Sequence, residues 1–492
     1  MPGPGLASAN PTTPTLYVDL DGTLVATDTL WESLCLLLRR HPSRVAALPF
    51  WAARGRAHLK ARIAELVGPD PALLPYRPEV LARIEAARAA GHRIVLATAS
   101  HARIAGAVAD HLGGFDAVLA TTENRNLKGR AKLDAMREEA AGRPVAYLGD
   151  ARADLPIWAG VDRAIAFAPS RALASALART APDHEILSPS APRPTRPPVL
   201  HALRPHQWVK NGLLFAPLLL AHQVQDKTRL AAVIAGFAAF CLVASAGYLV
   251  NDMLDIEADR RHASKRLRPF AAGSLSIPAG LALLCLLLAA GFGIAGLFVS
   301  NAFVGMVAAY LVATLAYSFA LKERLFLDVL VLAGLYTHRV LAGGVAARVE
   351  VSSWLLAFSV FFFLSLALVK RYVELLEKAA ADRAGSDRVA RRAYGTGDTG
   401  LVETMGIASG YLSVLVLGLY VSRDDVTRYY SNPEVLWLAT PLMLYWISRI
   451  WLLARRGEVK ADPVLFAATD RVSYGIVLGV VAIGVVAAST GG

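Results

Sequence analysis

Two sets of carboxylates in this 492-residue chain are spaced for chemistry. The first is Asp19-Leu20-Asp21-Gly22-Thr23-Leu24, directly after a short apolar run, Leu16-Tyr17-Val18, that reads as a strand. Two carboxylates two residues apart at a strand end suit a nucleophile and a general acid/base. The glycine lets the chain turn close to a ligand. Gly149-Asp150 follows a later strand-like run, Val145 to Leu148, with Asp154 one helical turn on. Carboxylates from neighbouring strand ends can jointly hold magnesium. Thr98 ends the run Arg93 to Ala97, where its hydroxyl could bind phosphate; Ser100 competes for that role. Lys132, in Gly129-Arg130-Ala131-Lys132, supplies a cation, with Lys128 as the alternative.

The second set is Asn251-Asp252-Met253-Leu254-Asp255-Ile256-Glu257-Ala258-Asp259. At about 100° per residue Asp252, Asp255 and Asp259 share one narrow helix face, with Asn251 at its edge. Three acids on one face repel each other unless a cation neutralises them, and oxygen ligands favour magnesium over zinc. Magnesium in turn suits a diphosphate leaving group. The next residues include Arg260, Arg261, Lys265, Arg266 and Arg268, cations able to grip phosphates.

The elements that must position these sets differ between the two halves. Residues 15–185 alternate strand-like and helical patterns, the latter at Pro78 to Ala90 and Lys128 to Ala141. That alternation predicts an α/β, Rossmann-like domain with a mostly parallel sheet and ligands beyond the strand ends. Helical sequence from about 29 to 75 reads as a cap inserted after the first strand. A proline-rich stretch at 188–200 reads as a linker. The expected layout is a tail over 1–14, an α/β domain over 15–187, the linker, and a membrane domain over 201–492.

In that second half nine apolar segments are expected to cross a membrane, near 207–222, 229–250, 277–298, 301–320, 326–346, 353–370, 401–421, 434–453 and 472–489. The chain is 55% hydrophobic, with a mean hydropathy of +0.43 and a net charge of +12. Many basic residues fall in alternate loops between apolar segments. One set holds Arg260 to Arg268, Lys322, Arg324, the run from Lys370 to Arg392, Arg455, Arg456, Lys460 and Arg471; the other holds only Lys227, Arg229, Arg348, Arg423 and Arg428. This asymmetry places the N-terminus inside and makes nucleic acid a poor explanation of the charge. Residues 1–15 have neither a basic nor an apolar region of a signal peptide, so the first domain is expected in the cytoplasm. Cys35, Cys241 and Cys285 have no metal-ligand or disulfide-framework spacing. Ionisable residues at the same membrane level are Arg204, Lys210, Tyr317, Lys322, Asp328, Arg339 inside a span, Lys370, Arg371 and Glu374; such groups are functional candidates by default.

Residues 15–185 resemble the haloacid-dehalogenase-like phosphatase superfamily, with its four motifs in order. The resemblance implies that Asp19 attacks phosphorus and Asp21 protonates the leaving alcohol. Thr98 and Lys132 would hold the phosphoryl group, and Asp19, Asp150 and the Asp21 carbonyl would hold magnesium with support from Asp154. Residues 201–490 resemble the UbiA superfamily of nine-helix intramembrane prenyltransferases, through the N-D-x-x-D-x-x-x-D motif. The likeness extends to its decaprenyl-phosphate phosphoribosyltransferase branch. It rests on Arg204-Pro205-His206-Gln207-Trp208-Val209-Lys210-Asn211, on 251–269, on Tyr317 to Asp328, on Arg339 to Gly344 and on Lys370-Arg371-Tyr372.

That branch uses a polyprenyl phosphate as nucleophile and phosphoribosyl diphosphate as donor. The resemblance therefore implies that Asn251, Asp252, Asp255 and Asp259 hold magnesium and diphosphate. Lys265, Arg266, Tyr317, Lys322, Asp328 and Arg339 become candidates for the donor, and Arg204, Lys210, Lys370 and Arg371 for the lipid phosphate. The second D-x-x-x-D pattern of prenyltransferases is absent; Lys322 and Asp328 stand in its place. The expected protein is a magnesium-dependent, bifunctional enzyme of a bacterial cytoplasmic membrane, making polyprenyl-phosphoryl ribose for the cell envelope, with oligomerisation left open. Two rivals are a conventional prenyltransferase carrying a regulatory or unrelated phosphatase domain, and a non-catalytic sensor in which Asp19 and Asp252 are dispensable.

Overall fold

The structure, a computed structural model, describes residues 14–190, 197–383, 394–423, 430–459 and 462–489. Most of the expected tail, the middle of the expected linker, and the loop cations Arg392, Arg428 and Lys460 lie outside the described residues. Contacts group the chain into two compact units: Met1–Ala202 with Leu249–Leu283, and Leu203–Tyr248 with Leu284–Gly492. The acidic segment from Asn251 to Asp259 thus belongs by contact to the first unit, although the proline-rich stretch was the expected boundary.

The first unit is built on six parallel strands in the order β3-β2-β1-β4-β5-β6. They are β1 (Thr15–Val18), β2 (Arg93–His101), β3 (Ala117–Thr121), β4 (Val145–Gly149), β5 (Arg163–Phe167) and β6 (His184–Leu187). Both sheet faces are covered, so the middle of each central strand is a run of apolar residues, Leu16 to Val18, Ile94 to Ala97 and Val145 to Leu148. Leu16, Val18, Ile94, Leu96, Ala146 and Leu148 pack on one face. Tyr17, Val95, Ala97, Val145 and Tyr147 pack on the other. The strand order reverses between β1 and β4, and in doubly wound sheets ligands bind beyond the strand ends at such a point. Asp19 and Asp150 are the residues that leave β1 and β4 there.

Helices α1 (Thr29–Arg40), α2 (Leu48–Ala53) and α3 (Arg56–Leu66) form the cap between β1 and α4 (Pro78–Ala89). Asp28 caps α1, accepting from the amides of Leu30 and Trp31. The buried face of α1 is Thr29, Glu32, Ser33, Leu36 and Leu37, the three-and-four spacing of an amphipathic helix. Leu36 and Leu37 meet Ile63 of α3 and Val67 just past its end. Around the sheet run α5 (Ala102–Leu112), α6 (Arg130–Ala140), α7 (Leu155–Trp158) and α8 (Arg171–Thr180).

The remaining helices are α9 (Pro198–Leu203), α10 (Ala216–Leu220), α11 (Lys227–Leu254), α12 (Ile256–Arg260), α13 (Ile277–Phe298), α14 (Asn301–Phe319), α15 (Leu327–Ala347), α16 (Ser353–Arg383), α17 (Thr399–Val421), α18 (Ala439–Arg455), α19 (Pro463–Ala467) and α20 (Arg471–Ser489). Among the described residues eight helices are long and apolar enough to cross a membrane, α11, α13 to α18 and α20. The ninth expected span, 207–222, is the difference. It forms a 3₁₀ helix over Pro205–Phe215 followed by the short α10. Its length falls short of the roughly 20 residues a span needs, and Lys210, Asn211 and Pro217 interrupt it. In the second unit α15 to α18 share a core around Tyr336, Leu368, Tyr372, Trp446 and Trp451. A second core joins α10, α11, α14 and α15 around Phe240, Phe303 and Tyr310.

Candidate active sites

The turn after β1 brings the first set of carboxylates together. Gly22 adopts φ +77°, and a Cβ there would lie 2.4 Å from Oδ2 of Asp150, so only glycine lets the two strand ends approach. Lys132, 2% exposed on α6, places its ammonium 3.0 Å from Oδ1 of Asp19. Lys128 is exposed, and Lys132 is the lysine that reaches Asp19. Tyr147, on β4, was not anticipated. Its hydroxyl lies 3.2 Å from Asp19 and 3.0 Å from Asp154, and it accepts from Lys132 at 3.0 Å. Asp154 also accepts the Ala151 amide, and Thr23 donates to Asp150 at 3.0 Å.

Asp21 faces the cap. It accepts the Thr29 amide at 2.7 Å and the Ser100 hydroxyl at 2.6 Å. Ser100 therefore serves Asp21, while Thr98, fully buried, accepts the Ser100 amide at 3.0 Å. Lys60 of α3 was also missed; it donates to the Ala99 carbonyl and to Asn126 beside this loop. Burial and the neighbouring charge of Asp28 push the Asp21 carboxyl up to about 7. Burial and the charge of Asp19 do the same to Asp150. A carboxylic acid held near neutrality can give and take a proton.

The acidic segment of the same unit is almost one helix. The Asp255 amide still bonds to the Asn251 carbonyl, and the Asp259 amide to that of Asp255, across the junction of α11 and α12. Asp252 and Asp259 are 2% and 4% exposed, and one nitrogen of Arg268 lies 3.1 Å from Asp252 and 2.7 Å from Asp259. Two acids seven residues apart thus converge on one cation, whereas Asp255, expected on the same face, does not join them. In the sequence Arg268 is only one of a run of loop cations. Burial pushes the Asp259 carboxyl up to about 6 against the opposing pull of Arg268. Asp255 is held by the guanidinium of Arg39. Lys265 and Arg266 are exposed in the turn that follows.

Among the described residues no three His, Cys, Asp or Glu side chains form a ready metal cage. Both sets nevertheless fit magnesium, which takes one or two carboxylates and completes its shell with phosphate oxygens and water. In the first set Lys132 pairs with Asp19, and the charges of Asp19 and Asp154 both bear on Asp150. In the second, Asp252 and Asp259 already share a single point of positive charge.

The second unit gathers the remaining candidates into two clusters. In one, Asp462, a residue the sequence did not single out, lies 2.5 Å from Lys210 and 3.8 Å from Lys370. The Tyr336 hydroxyl is 3.4 Å from the same carboxylate. Arg339, 5% exposed, donates to Asn211 and to the Tyr310 hydroxyl, both at 2.9 Å, and its guanidinium stacks over the Tyr336 ring. Lys210 and Lys370 on one carboxylate, with Arg339 over the ring of the same Tyr336, leave positive charge to spare, which suits an anion. In the other cluster Arg371 and Asp328 form a buried pair at 2.5 Å, with Tyr394 and Glu374 completing it. Arg204 stacks over Tyr248, Tyr317 is half-buried at the end of α14, and Lys322 is half-buried in the loop beyond it.

The sequence pattern of the UbiA prenyltransferase family matches residues 212–471, more than half of the chain. The chain belongs to the UbiA prenyltransferase family. Residues 33–158 match the haloacid dehalogenase-like hydrolases, so this UbiA member carries a hydrolase-like domain at its N-terminus. Protein y4nM of Sinorhizobium fredii is 39% identical over 461 residues, covering 93% of this chain and 88% of its own. The decaprenyl-phosphate phosphoribosyltransferase of Mycolicibacterium smegmatis is 33% identical over 285 residues, covering 56% of this chain and 87% of its own. A solved UbiA homolog from Archaeoglobus fulgidus, bound to GPP and Mg2+, is 15% identical with a TM-score of 0.45, covering 60% of this chain and all of its own. Family and apolar helices together make this a multi-pass membrane protein.

Proposed function

We propose that this UbiA member transfers 5-phosphoribose from phosphoribosyl diphosphate to a polyprenyl phosphate, and that its N-terminal domain then removes the 5-phosphate. The observation that carries the donor assignment is Asp328. It stands where other prenyltransferases have their second acidic motif, yet it is fully buried and committed to Arg371. That leaves one acidic motif for a diphosphate, and the match to phosphoribosyltransferases over 56% of the chain points the same way.

In the transfer step a phosphate oxygen of the lipid attacks C1 of the ribose. The bond from C1 to the diphosphate oxygen breaks, and its electron pair leaves with diphosphate. Asn251, Asp252, Asp255 and Asp259 would hold magnesium, which neutralises the charge that develops on that leaving group. Lys210, Lys370 and Arg339 supply the positive charge for a lipid or sugar phosphate, and Tyr336 and Asn211 orient it. Arg204, Tyr317, Lys322, Lys265 and Arg266 are further candidates for phosphate contact.

In the second step an Asp19 oxygen attacks the 5-phosphorus, the bond from phosphorus to O5 breaks, and Asp21 delivers a proton to O5. Water then attacks the phosphorus of the aspartyl-phosphate while Asp21 takes its proton; the bond from phosphorus to the Asp19 oxygen breaks, inorganic phosphate leaves, and the enzyme is restored. Lys132 and Thr98 hold the phosphoryl oxygens; Asp19, Asp150 and the Asp21 carbonyl would hold the magnesium of this site, with Asp154 steadied by Tyr147. Tethering the two steps raises the local concentration of the intermediate. The site of action is a bacterial cytoplasmic membrane with both reactions on its inner side, and the product is a pentose donor for the envelope.

The test is purified protein in detergent with magnesium, a polyprenyl phosphate and labelled phosphoribosyl diphosphate, followed by mass analysis of the lipid. A ribosyl lipid is expected from the wild type, a phosphoribosyl lipid from Asp19→Asn, and no labelled lipid from Asp252→Ala. Labelled product from a prenyl diphosphate and an aromatic acceptor, with none from phosphoribosyl diphosphate, would establish the conventional reaction instead.

A further inference from the structure

Helix α1 touches both acidic sets of the first unit. At its start the Thr29 amide and, through Ser100, the Thr29 hydroxyl position the carboxylate of Asp21. At its end Arg39 donates to the Asp255 carboxylate and, at 2.8 Å, to the Leu254 carbonyl. Arg40 pairs with Glu257 at 2.6 Å. A helix of 12 residues spans about 18 Å, so one rigid rod joins the proton-transfer residue of the phosphatase-like site to the acidic motif.

The contacts along this rod are of two kinds. In the first turn Glu32 and Arg260 form a two-armed pair with side chains 2% and 6% exposed. Such a pair cannot be opened without stranding a buried charge. Close by, Gly273 has φ +70°, and a Cβ there would lie 2.1 Å from the Ala26 carbonyl oxygen, so the loop after α12 also fits tightly beneath the start of the cap. The Arg39 pair with Asp255 is different. Its side chains are 17% and 16% exposed, and water can replace either partner. Glu32 and Arg260 therefore form a fixed pivot, and Arg39 an exchangeable latch.

We propose that α1 couples the two sites: Arg39 latches Asp255 while the acidic motif is free, and magnesium–diphosphate binding at Asp252, Asp255 and Asp259 displaces Arg39 and loosens the last turn of α1. Arg39 is in this sense a positioning residue that acts through Asp255. The coupling rests on the reading of the motif as a magnesium–diphosphate site, and not on which group is transferred. The consequence is communication: a loaded transferase motif alters the helix that orients Asp21.

The experiment uses the full chain in detergent, inorganic diphosphate with magnesium as the probe, and two readouts, calorimetric affinity and amide hydrogen exchange over residues 36–41. In the wild type, adding the probe is expected to raise exchange in that turn. In Arg39→Gln the exchange is expected to be high from the outset and insensitive to the probe, with affinity at least about fivefold tighter because the competitor is gone. Should Arg39→Gln fail to fold, Asp255→Asn removes the same latch from the other side and is expected to raise exchange without any probe. Asp259→Asn should abolish the response together with the binding, which separates it from magnesium at Asp19. Binding without any change in α1, or weaker binding by Arg39→Gln, overturns the latch alone. Absence of diphosphate binding to the wild type overturns both the latch and the reading beneath it.

Discussion

The ammonium of Lys132 lies 3.0 Å from the Asp19 carboxylate, at the point of the sheet where β1 and β4 diverge. It is the cation that a phosphoryl group would meet as Asp19 attacks. Replacing it with methionine keeps the packing but removes the charge that stabilises the transferred group. Lys132→Met is expected to lower the phosphatase rate by about 10² to 10³ while phosphoribosyl transfer continues. The check is the ratio of phosphorylated to dephosphorylated ribosyl lipid by mass; an unchanged ratio contradicts the assignment.

Tyr147 touches Asp19, Asp154 and Lys132 with one hydroxyl. Tyr147→Phe leaves two buried carboxylates without that shared proton. A loss of about 1–3 kcal/mol is expected, since buried acceptors lose their donor. Thermal unfolding of the first unit should show it, and added magnesium should restore part of it by neutralising the same carboxylates. Destabilisation that magnesium does not relieve would place the cation elsewhere.

Chelation with EDTA is expected to stop both reactions, and magnesium to restore both. Asp252→Asn and Asp259→Asn should each cut transfer by about 10³ or more, the scale for losing a group that acts on the leaving diphosphate. Neither should alter hydrolysis of a small phosphate ester by the N-terminal domain at saturating magnesium. Loss of both activities in either variant would mean that the two acidic sets are not separate centres.

Arg371 and Asp328 are each 1% exposed in their side chains. Arg371→Ala strands the Asp328 carboxylate and is expected to cost about 3–5 kcal/mol. The pair Arg371→Met with Asp328→Leu removes both charges and should recover much of that stability, along with transferase activity. If the double variant folds but no longer transfers, Arg371 meets substrate and the ion pair is not its main task.

Burial pushes the Asp462 carboxyl up, but Lys210 and Lys370 outweigh it and hold it down at about 2, against an ordinary 3.8. A carboxyl depressed on folding adds stability above its unfolded value and loses it as pH falls through the folded one. The stability difference between wild type and Asp462→Asn should therefore be steady from pH 7 to about 5 and shrink between about 4 and 2. Melting temperatures in detergent across that range provide the check; a difference that does not narrow would mean the carboxylate is not held by the lysines.

What the sequence by itself determined is local or carried by short motifs. Asp19, Asp21, Asp150 and Asp154 could be placed because each follows a strand within a few residues. The convergence of Asp252 and Asp259 follows from helix periodicity alone. Eight of the nine expected spans and the first half's alternation were legible for the same reason, although α11 was read a few residues short at each end and α16 short at its C-terminal end. The segment 207–222 misled because its average is apolar, while Pro217 and Lys210 prevent one long helix. Only the tertiary structure decided the partners that lie far apart in the chain. Tyr147 reaches Asp19 across 128 residues, Arg39 reaches Asp255 across 216, and Lys210 reaches Asp462 across 252. In the sequence Asp462 is only an acid before a proline, and it does cap α19. Its second role depends on Lys210 and Lys370, two cations brought together by helices whose packing no local pattern encodes. Charge complementarity over such separations is set by how the helices fold back on one another, and many pairings of the same residues would satisfy the sequence equally well.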